Sequence, residues 1–342
     1  MDNTKAQKKG SGGTSGELGE RRLIGVLRKR FDVMPEVPVV FGDDISAVTL
    51  DDKRVAVLKT DMLVDKTDVP IGMSLWQAAR KAVVMNVSDF AAKGVSPKAA
   101  LVALGLPRKL LRADVEEIAR GLNTGARQYG AYVVGGDTGE ASDLVIAVSL
   151  FGTAEKKALM LRSGAKVGDV LAVTGFFGKS AAGLRVLLDG LAVSKELREV
   201  LVNPVFMPQA RLKEGLALGG SGTVTAAVDS SDGLAWSLHE LAKMSDVGFL
   251  VNSVPIAHEV KCFAEFNGLD ELELALYGGE EYELVVTVKP KLWADAEMAV
   301  EAVGSRLLPI GKVTRDKQVV LEVDGKKCPI EARGWEHFKS NI

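Results

Sequence analysis

Cysteine and histidine are scarce in this sequence: two and three residues, respectively, among 342. Cys262 and Cys328 alone exclude a disulfide framework and a four-cysteine zinc site, and read as reduced thiols. His239, His258 and His337 stand far apart, which gives little support to a histidine-centred nucleophilic mechanism. No charge of one sign dominates. Forty-three basic residues against 45 acidic ones leave a formal net charge of −2, so no global basic field draws the chain onto nucleic acid. Long apolar runs are missing too. The longest, AALVALGLP from Ala99 to Pro107, is far short of the ~20 residues of a membrane span, and no signal-peptide pattern appears. These absences point to a cytoplasmic protein with neither a membrane nor a nucleic acid as partner.

What is present is globular: 47 % apolar and 26 % charged residues. The length suits two domains of ~150–170 residues. Residues 1–16 are polar and rich in Gly, Ser and Lys, and read as a flexible tail. From Glu17 on, Leu18, Leu23, Val26, Leu27 and Phe31 follow helical spacing. Short Val- and Ala-rich runs then end in Asp or Gly: VPVVFGDD, RVAVLKTD, AYVVGGDTG, LVIAVSLFG, DVLAVTG and TAAVDSSDG. Their length and bounding turn residues predict strands. Helices are predicted between them, over 74–92, 113–129, 179–188, 231–244 and 290–303. The charged stretch at Glu155 marks the expected junction between domains 17–154 and 155–342. Alternating strands and helices predict a mixed α and β fold.

Familiar nucleotide motifs fail on inspection. GFFGKS, Gly175 to Ser180, has two residues between its glycines where a P-loop needs four. Gly220-Ser221-Gly222 is followed by Thr225 where a dinucleotide fingerprint needs glycine. What remains is a set of aspartates at the ends of predicted strands: Asp43, Asp44, Asp61, Asp137, Asp229 and Asp232. Any one of them is also an ordinary turn former or helix cap. Six together point to shared chemistry.

Asp89 is more specific, because it falls inside a predicted helix. It shares a face with Ala78, Ala82, Met85 and Asn86, small and apolar enough to pack; no Lys or Arg lies one turn away on that face within the predicted helix, Lys81 being at another spacing and Lys93 beyond the end. A buried carboxylate is costly unless paired or bound to a cation. Carboxylates and hydroxyls without His or Cys suit a hard cation, Mg²⁺ before zinc. Two like charges ~4 Å apart repel by about 4 kcal/mol at an effective dielectric of about 20, so an acidic cleft takes a polyphosphate only through divalent ions. GGD at 135–137 and Ser231 at a helix start offer backbone N–H groups to phosphate, with Arg162 as a candidate clamp.

The order and spacing of GDDISAVTL, KTDMLVDKTDVPIGM, NVSDFAAKGVSP, GGDTG, LRSGAKVGD, VTGFFGKSAAGL, DSSDGL, YGGEEYEL and IGKVT resemble the thiamine-monophosphate kinases. These belong to the superfamily of aminoimidazole ribonucleotide synthetase, and the likeness runs from about Gly19 to GWEHF. The resemblance implies an N-terminal ATP- and metal-binding domain whose mixed sheet forms a barrel at a homodimer interface, and a C-terminal α/β domain. It implies phosphorylation of thiamine monophosphate to thiamine diphosphate, with ATP as co-substrate and several Mg²⁺ ions. Metal ligands by motif position are Asp43, Thr60, Asp61, Asp89, Asp137, Asp229 and Asp232, of which Asp43, Asp89, Asp137 and Asp229 form the catalytic set. Gly136, Asp137, Arg162 and Ser231 fall where nucleotide is held; Asp68, Glu280 and Trp335 fall where the thiamine substrate is. Two departures stand out: Lys59 replaces a common Ser, and Asp68 a common His. The competing readings are a sister ATP-using enzyme of the superfamily and a nucleotide-binding protein without turnover.

Overall fold

The computed structural model describes residues 13–338 and divides into two compact units. The small unit contains the described residues 13–36 and 335–338. Thr14 and Glu17 cap each other reciprocally at the start of α1 (Ser15–Leu18), and α2 follows (Glu20–Arg28). The backbone N–H of His337 donates to Glu20 at 3.2 Å within the same unit. Of the expected tail, residues 1–12 lie outside the described residues, whereas Ser15 and Gly16 belong to α1.

The large unit, Val37–Gly334, contains two sheets. The first comprises β1 (Ser46–Thr49), β2 (Arg54–Val64), β3 (Pro97–Leu106), β4 (Tyr132–Glu140) and β5 (Val145–Glu155), in the order β1-β2-β5-β3-β4. Only the β3–β4 pair is parallel. Short helix α3 (Asp65–Asp68) follows β2; α4 (Leu75–Ala92) and α5 (Arg112–Gln128) pack together. The sheet is two-faced, as strand alternation requires. Val55, Val57, Leu63, Ile146, Val148 and Leu150 are buried, while Leu58, Met62, Leu101 and Phe151 on the other face are exposed. Within one chain this sheet is open, with β1 and β4 at its edges.

The second sheet comprises β6 (Val170–Val173), β7 (Val224–Asp229), β8 (Gly248–Val251), β9 (Leu284–Val288), β10 (Leu308–Thr314), β11 (Val319–Val323) and β12 (Lys326–Pro329). Its order is β12-β11-β8-β10-β6-β9-β7. Helices α6 (Lys179–Leu188), α7 (Lys195–Phe206), α8 (Leu212–Ser221), α9 (Leu234–Ser245), α10 (His258–Asn267), α11 (Glu271–Tyr277) and α12 (Trp293–Glu301) complete the unit. Strand β9 is buried at all five positions, because the helices α6, α9 and α10 cover one face of this sheet and α4 and α8 the other. Two-sided burial is why LVVTV reads as a continuous apolar run.

Helix α4 is the central element. Ser74 accepts from the Gln77 N–H while the Gln77 side chain caps Ser74 in return, and no Gly or Pro interrupts the next 18 residues. It packs on β2, β5, α5, α8 and β7, which explains why it is buried nearly all round. Contact with α8 requires glycine at 215, where a Cβ would lie 2.0 Å from the Ala91 carbonyl oxygen. No described helix is long and apolar enough to cross a membrane.

One predicted strand is absent. VPVVF at 37–41 is a chain of bends: Pro38 lacks an N–H, Gly42 takes φ 108°, and only Val39 of its three valines is buried. The predicted helix at 231 begins instead at Leu234, after the Ser230–Gly233 turn.

Replacing Gly215 by Ala is expected to force α4 and α8 apart and cost about 1–3 kcal/mol. Urea denaturation of the variant checks this; an unchanged midpoint would remove the close approach as a constraint.

Candidate active site

The end of α4 meets the end of β7 and the 42–45 loop in a buried cluster of charge. Lys93, the residue that ends α4, is fully buried, and three oxygens surround its ammonium. Asp43 and Asp44 pair with it, both at 2.7 Å, and it donates to the Ala227 carbonyl at 2.8 Å. An ammonium has three donors, and two ion pairs and one hydrogen bond lie within their reach. Arg162 grips the same loop from the other side. Its Nε donates to Asp44 Oδ1 at 2.6 Å, its backbone N–H to Asp43 Oδ2 at 3.0 Å, and its guanidinium to the Gly42 carbonyl at 3.1 Å.

Beyond these cations lie three buried carboxylates, Asp44, Asp89 and Asp229, with oxygens within 4.8 Å of one another. Asp89 projects from the last turn of α4 and Asp229 from the end of β7. Ser88, on the same helix, donates to Asp229 at 2.7 Å. Lys59, on β2, pairs with Asp89 at 2.8 Å.

The three carboxyls do not share one electrostatic state. Burial would raise Asp44, but Arg162 and Lys93 hold it below the usual carboxylate range. Asp229 is pushed up to about 6, chiefly by burial and then by the Asp44 charge, with the Ser88 hydrogen bond pulling the other way. Asp89 is raised well above its ordinary value by burial, against the pull of Lys59. An all-oxygen set of mutually repelling carboxylates fits a hard divalent cation, which would relieve both raised groups.

A second charged group lies at the 280 loop. Buried Lys81 of α4 pairs with Glu280 and donates to the Asp68 carbonyl at 3.1 Å. Glu280 and Tyr282 take φ of 65° and 54°, a conformation that non-glycine residues seldom adopt. Glu280 and Tyr282 donate their backbone N–H groups to the Ser231 and Ser230 carbonyls, at 2.7 and 2.9 Å, fixing this loop against the 230 turn.

Residues 42–154 match the model of the AIR synthase related protein N-terminal domain, and 166–324 that of its C-terminal domain. The chain is 35 % identical to the thiamine-monophosphate kinase of Pyrococcus horikoshii, over 94 % of this chain and 97 % of the relative. It is 37 % identical to that of Nitrosopumilus maritimus over 84 % and 90 %. A solved structure described as AaThiL complexed with AMPPCP and TMP superposes with a TM-score of 0.83 at 31 % identity, covering 96 % of this chain and all of that one. The chain belongs to the thiamine-monophosphate kinase family. The HypE–HypF complex, at 23 % identity and a TM-score of 0.73, shares the fold alone.

The other residues expected from the thiamine-monophosphate kinase resemblance are spread more widely. Asp61 shares the inner face of β2 with Lys59 and is half-buried; Thr60 points to the opposite face, where its hydroxyl donates to Val148 O at 3.3 Å. Gly136 and Asp137 lie on exposed edge strand β4. Gly136 has a packing reason to be glycine, since a Cβ there would sit 1.8 Å from the Val102 carbonyl. Ser231 is exposed and Asp232 half-buried in the turn before α9. Asp68 accepts from the Val64 N–H at 2.7 Å. Trp335 belongs to the small unit, its ring edge-on to His337 with centroids 6.0 Å apart.

Sequence reasoning assigned the metal role to Asp43, whereas Asp44 stands in the carboxylate triad and Asp43 faces Lys93. It also expected no cation near Asp89 from the helix itself; the partner comes from β2. Lys93 left no usable signal, because a lysine at a helix C-terminus reads as a solvated dipole partner.

Lys93→Met is expected to strand two buried carboxylates and lower stability by about 3–5 kcal/mol. Chemical denaturation measures this, and a loss below about 1 kcal/mol would contradict the role given to Lys93.

Proposed function

We propose that this chain transfers the terminal phosphoryl group of ATP to the phosphate of thiamine monophosphate, yielding ADP and thiamine diphosphate by direct in-line displacement. The observation that carries this reading is the buried Asp44–Asp89–Asp229 triad in a chain of this family. The relative described with AMPPCP, an ATP analogue, and TMP supports the pair of substrates.

The chemistry asks little of acid–base groups. The second pKa of a phosphate monoester is ~6, so the attacking oxygen is largely ionised at pH 7 and needs no general base. That agrees with the histidines: His239 contacts the Ile330 carbonyl, His258 faces Cys262, and His337 lies in the small unit. Asp44, Asp89 and Asp229 are the residues that would hold Mg²⁺. When bound, such ions neutralise charge between phosphates and carboxylates and along the transfer coordinate. Asp61, whose charge acts on Asp89 and Lys59, joins that set, and Asp43, Thr60, Asp137 and Asp232 complete the wider proposed one. Lys93 and Arg162 keep Asp44 ionised and fixed, and Ser88 orients Asp229. Gly136, Asp137, Arg162 and Ser231 are the proposed nucleotide contacts, and Asp68, Glu280 and Trp335 the proposed substrate contacts. Lys81 holds Glu280 and the Asp68 turn together.

A homodimer is part of this proposal. The outer face of the first sheet carries exposed Leu58, Met62, Leu101 and Phe151, and edge strand β4 is exposed along its whole length. A second copy would cover both the apolar face and the unpaired edge, which supports the expected interface barrel. The reading also divides the chain into an ATP- and metal-binding domain, 17–154, and an α/β domain, 155–342, in a cytoplasmic enzyme.

Purified protein given MgATP and thiamine monophosphate is expected to release ADP and thiamine diphosphate in equal amounts, resolved by chromatography. Asp229→Asn is expected to lower turnover by about 10²-fold or more. ATP binding without thiamine diphosphate formation would overturn the proposal.

A further inference from the structure

Lys59 differs from the other two cations of the cluster. Lys93 is fully enclosed by oxygens, and Arg162 is bound to the 42–44 loop, so both neutralise one side of the site. Lys59 pairs with Asp89 instead, from a strand hydrogen-bonded between β1 and β5, which fixes its backbone firmly. Its ammonium lies 2.8 Å from Asp89 Oδ2, and its side chain keeps 21 % exposure. Asp61, Asp44 and Asp229 act on the same charge. Among the described residues no other cationic side chain is paired with Asp89.

We propose that the Lys59 ammonium is a resident cation of the site, standing at the Asp89 end of the triad in place of one divalent ion. The inference rests on the reading of the triad as a divalent-cation site. A tethered ammonium delivers one positive charge to Asp89 whatever the concentration of free metal. It also repels a divalent ion approaching the same oxygens, so Lys59 and the ion compete for Asp89. The free protein thus keeps the triad partly neutralised, and, with Asp44 already held by Lys93 and Arg162, its divalent ions are taken up mainly at Asp229.

The test is a titration with Mn²⁺ alone, without nucleotide, in which free Mn²⁺ is followed by electron paramagnetic resonance. Lys59→Ala opens the position and removes the charge, and it is expected to hold Mn²⁺ at least tenfold more tightly than wild type. Lys59→Arg keeps the charge and is expected to stay near wild type. Lys59→Gln, which keeps most of the side-chain volume, repeats the comparison should the alanine variant fold poorly. For either neutral variant, the melting temperature is expected to climb more steeply with Mn²⁺ than that of wild type. Binding by the neutral variants no tighter than wild type overturns the role of Lys59 while leaving the cation site standing. Absence of Mn²⁺ binding in every protein, wild type included, overturns both.

Discussion

The buried ammonium of Lys93 is the constraint on which the rest of the site depends. One nitrogen, closed off from water, is shared by the 42–45 loop, the end of α4 and the carbonyl of Ala227 on β7. A charge buried this deeply is tolerated only if it is paired and hydrogen-bonded, and here it is. Three elements distant in sequence are thereby fixed to one point. From that point α4 presents Asp89 and Ser88, β7 presents Asp229, and the loop presents Asp44.

The same arrangement accounts for the unequal states of the three carboxyls. Asp44 is held ionised by Arg162 and Lys93, whereas burial dominates at Asp229 and Asp89 and drives both upward. One side of the triad is satisfied by the chain itself and the other has Lys59 alone. A protein that used these aspartates only as caps would have no reason to converge them inside the molecule. Convergence, burial and an all-oxygen donor set together are what a phosphoryl-transfer site with divalent ions requires.

Much of this was legible in the sequence where local physics decides the outcome. Ser74 and Gln77 announce the start of α4, and the small apolar face around Asp89 announces its burial. TAAVDSSDG gives both β7 and the position of Asp229. The rest was not legible, because there tertiary contact overrides the local pattern. VPVVF has strand composition but no partner strand to pair with, so it bends. Asp43 and Asp44 are adjacent acids in one loop, and only the positions of Lys93 and Arg162 decide which of them faces the triad. Lys59 sits 30 residues before Asp89 and meets it because β2 passes beneath α4, which no periodicity reveals. Strand β3 (Pro97–Leu106) overlaps the Ala99–Pro107 run, where three alanines and Gly105 leave Val102 as the one β-branched residue, so the segment reads only as an apolar stretch.

The most direct test of the central claim is a crystal soaked with Mn²⁺ and an ATP analogue and measured at the manganese absorption edge. The account expects an anomalous peak within the Asp44–Asp89–Asp229 triad, at Asp229 above all, with Lys59 remaining beside Asp89. Manganese bound only elsewhere, or none at all among these three carboxylates, would contradict it.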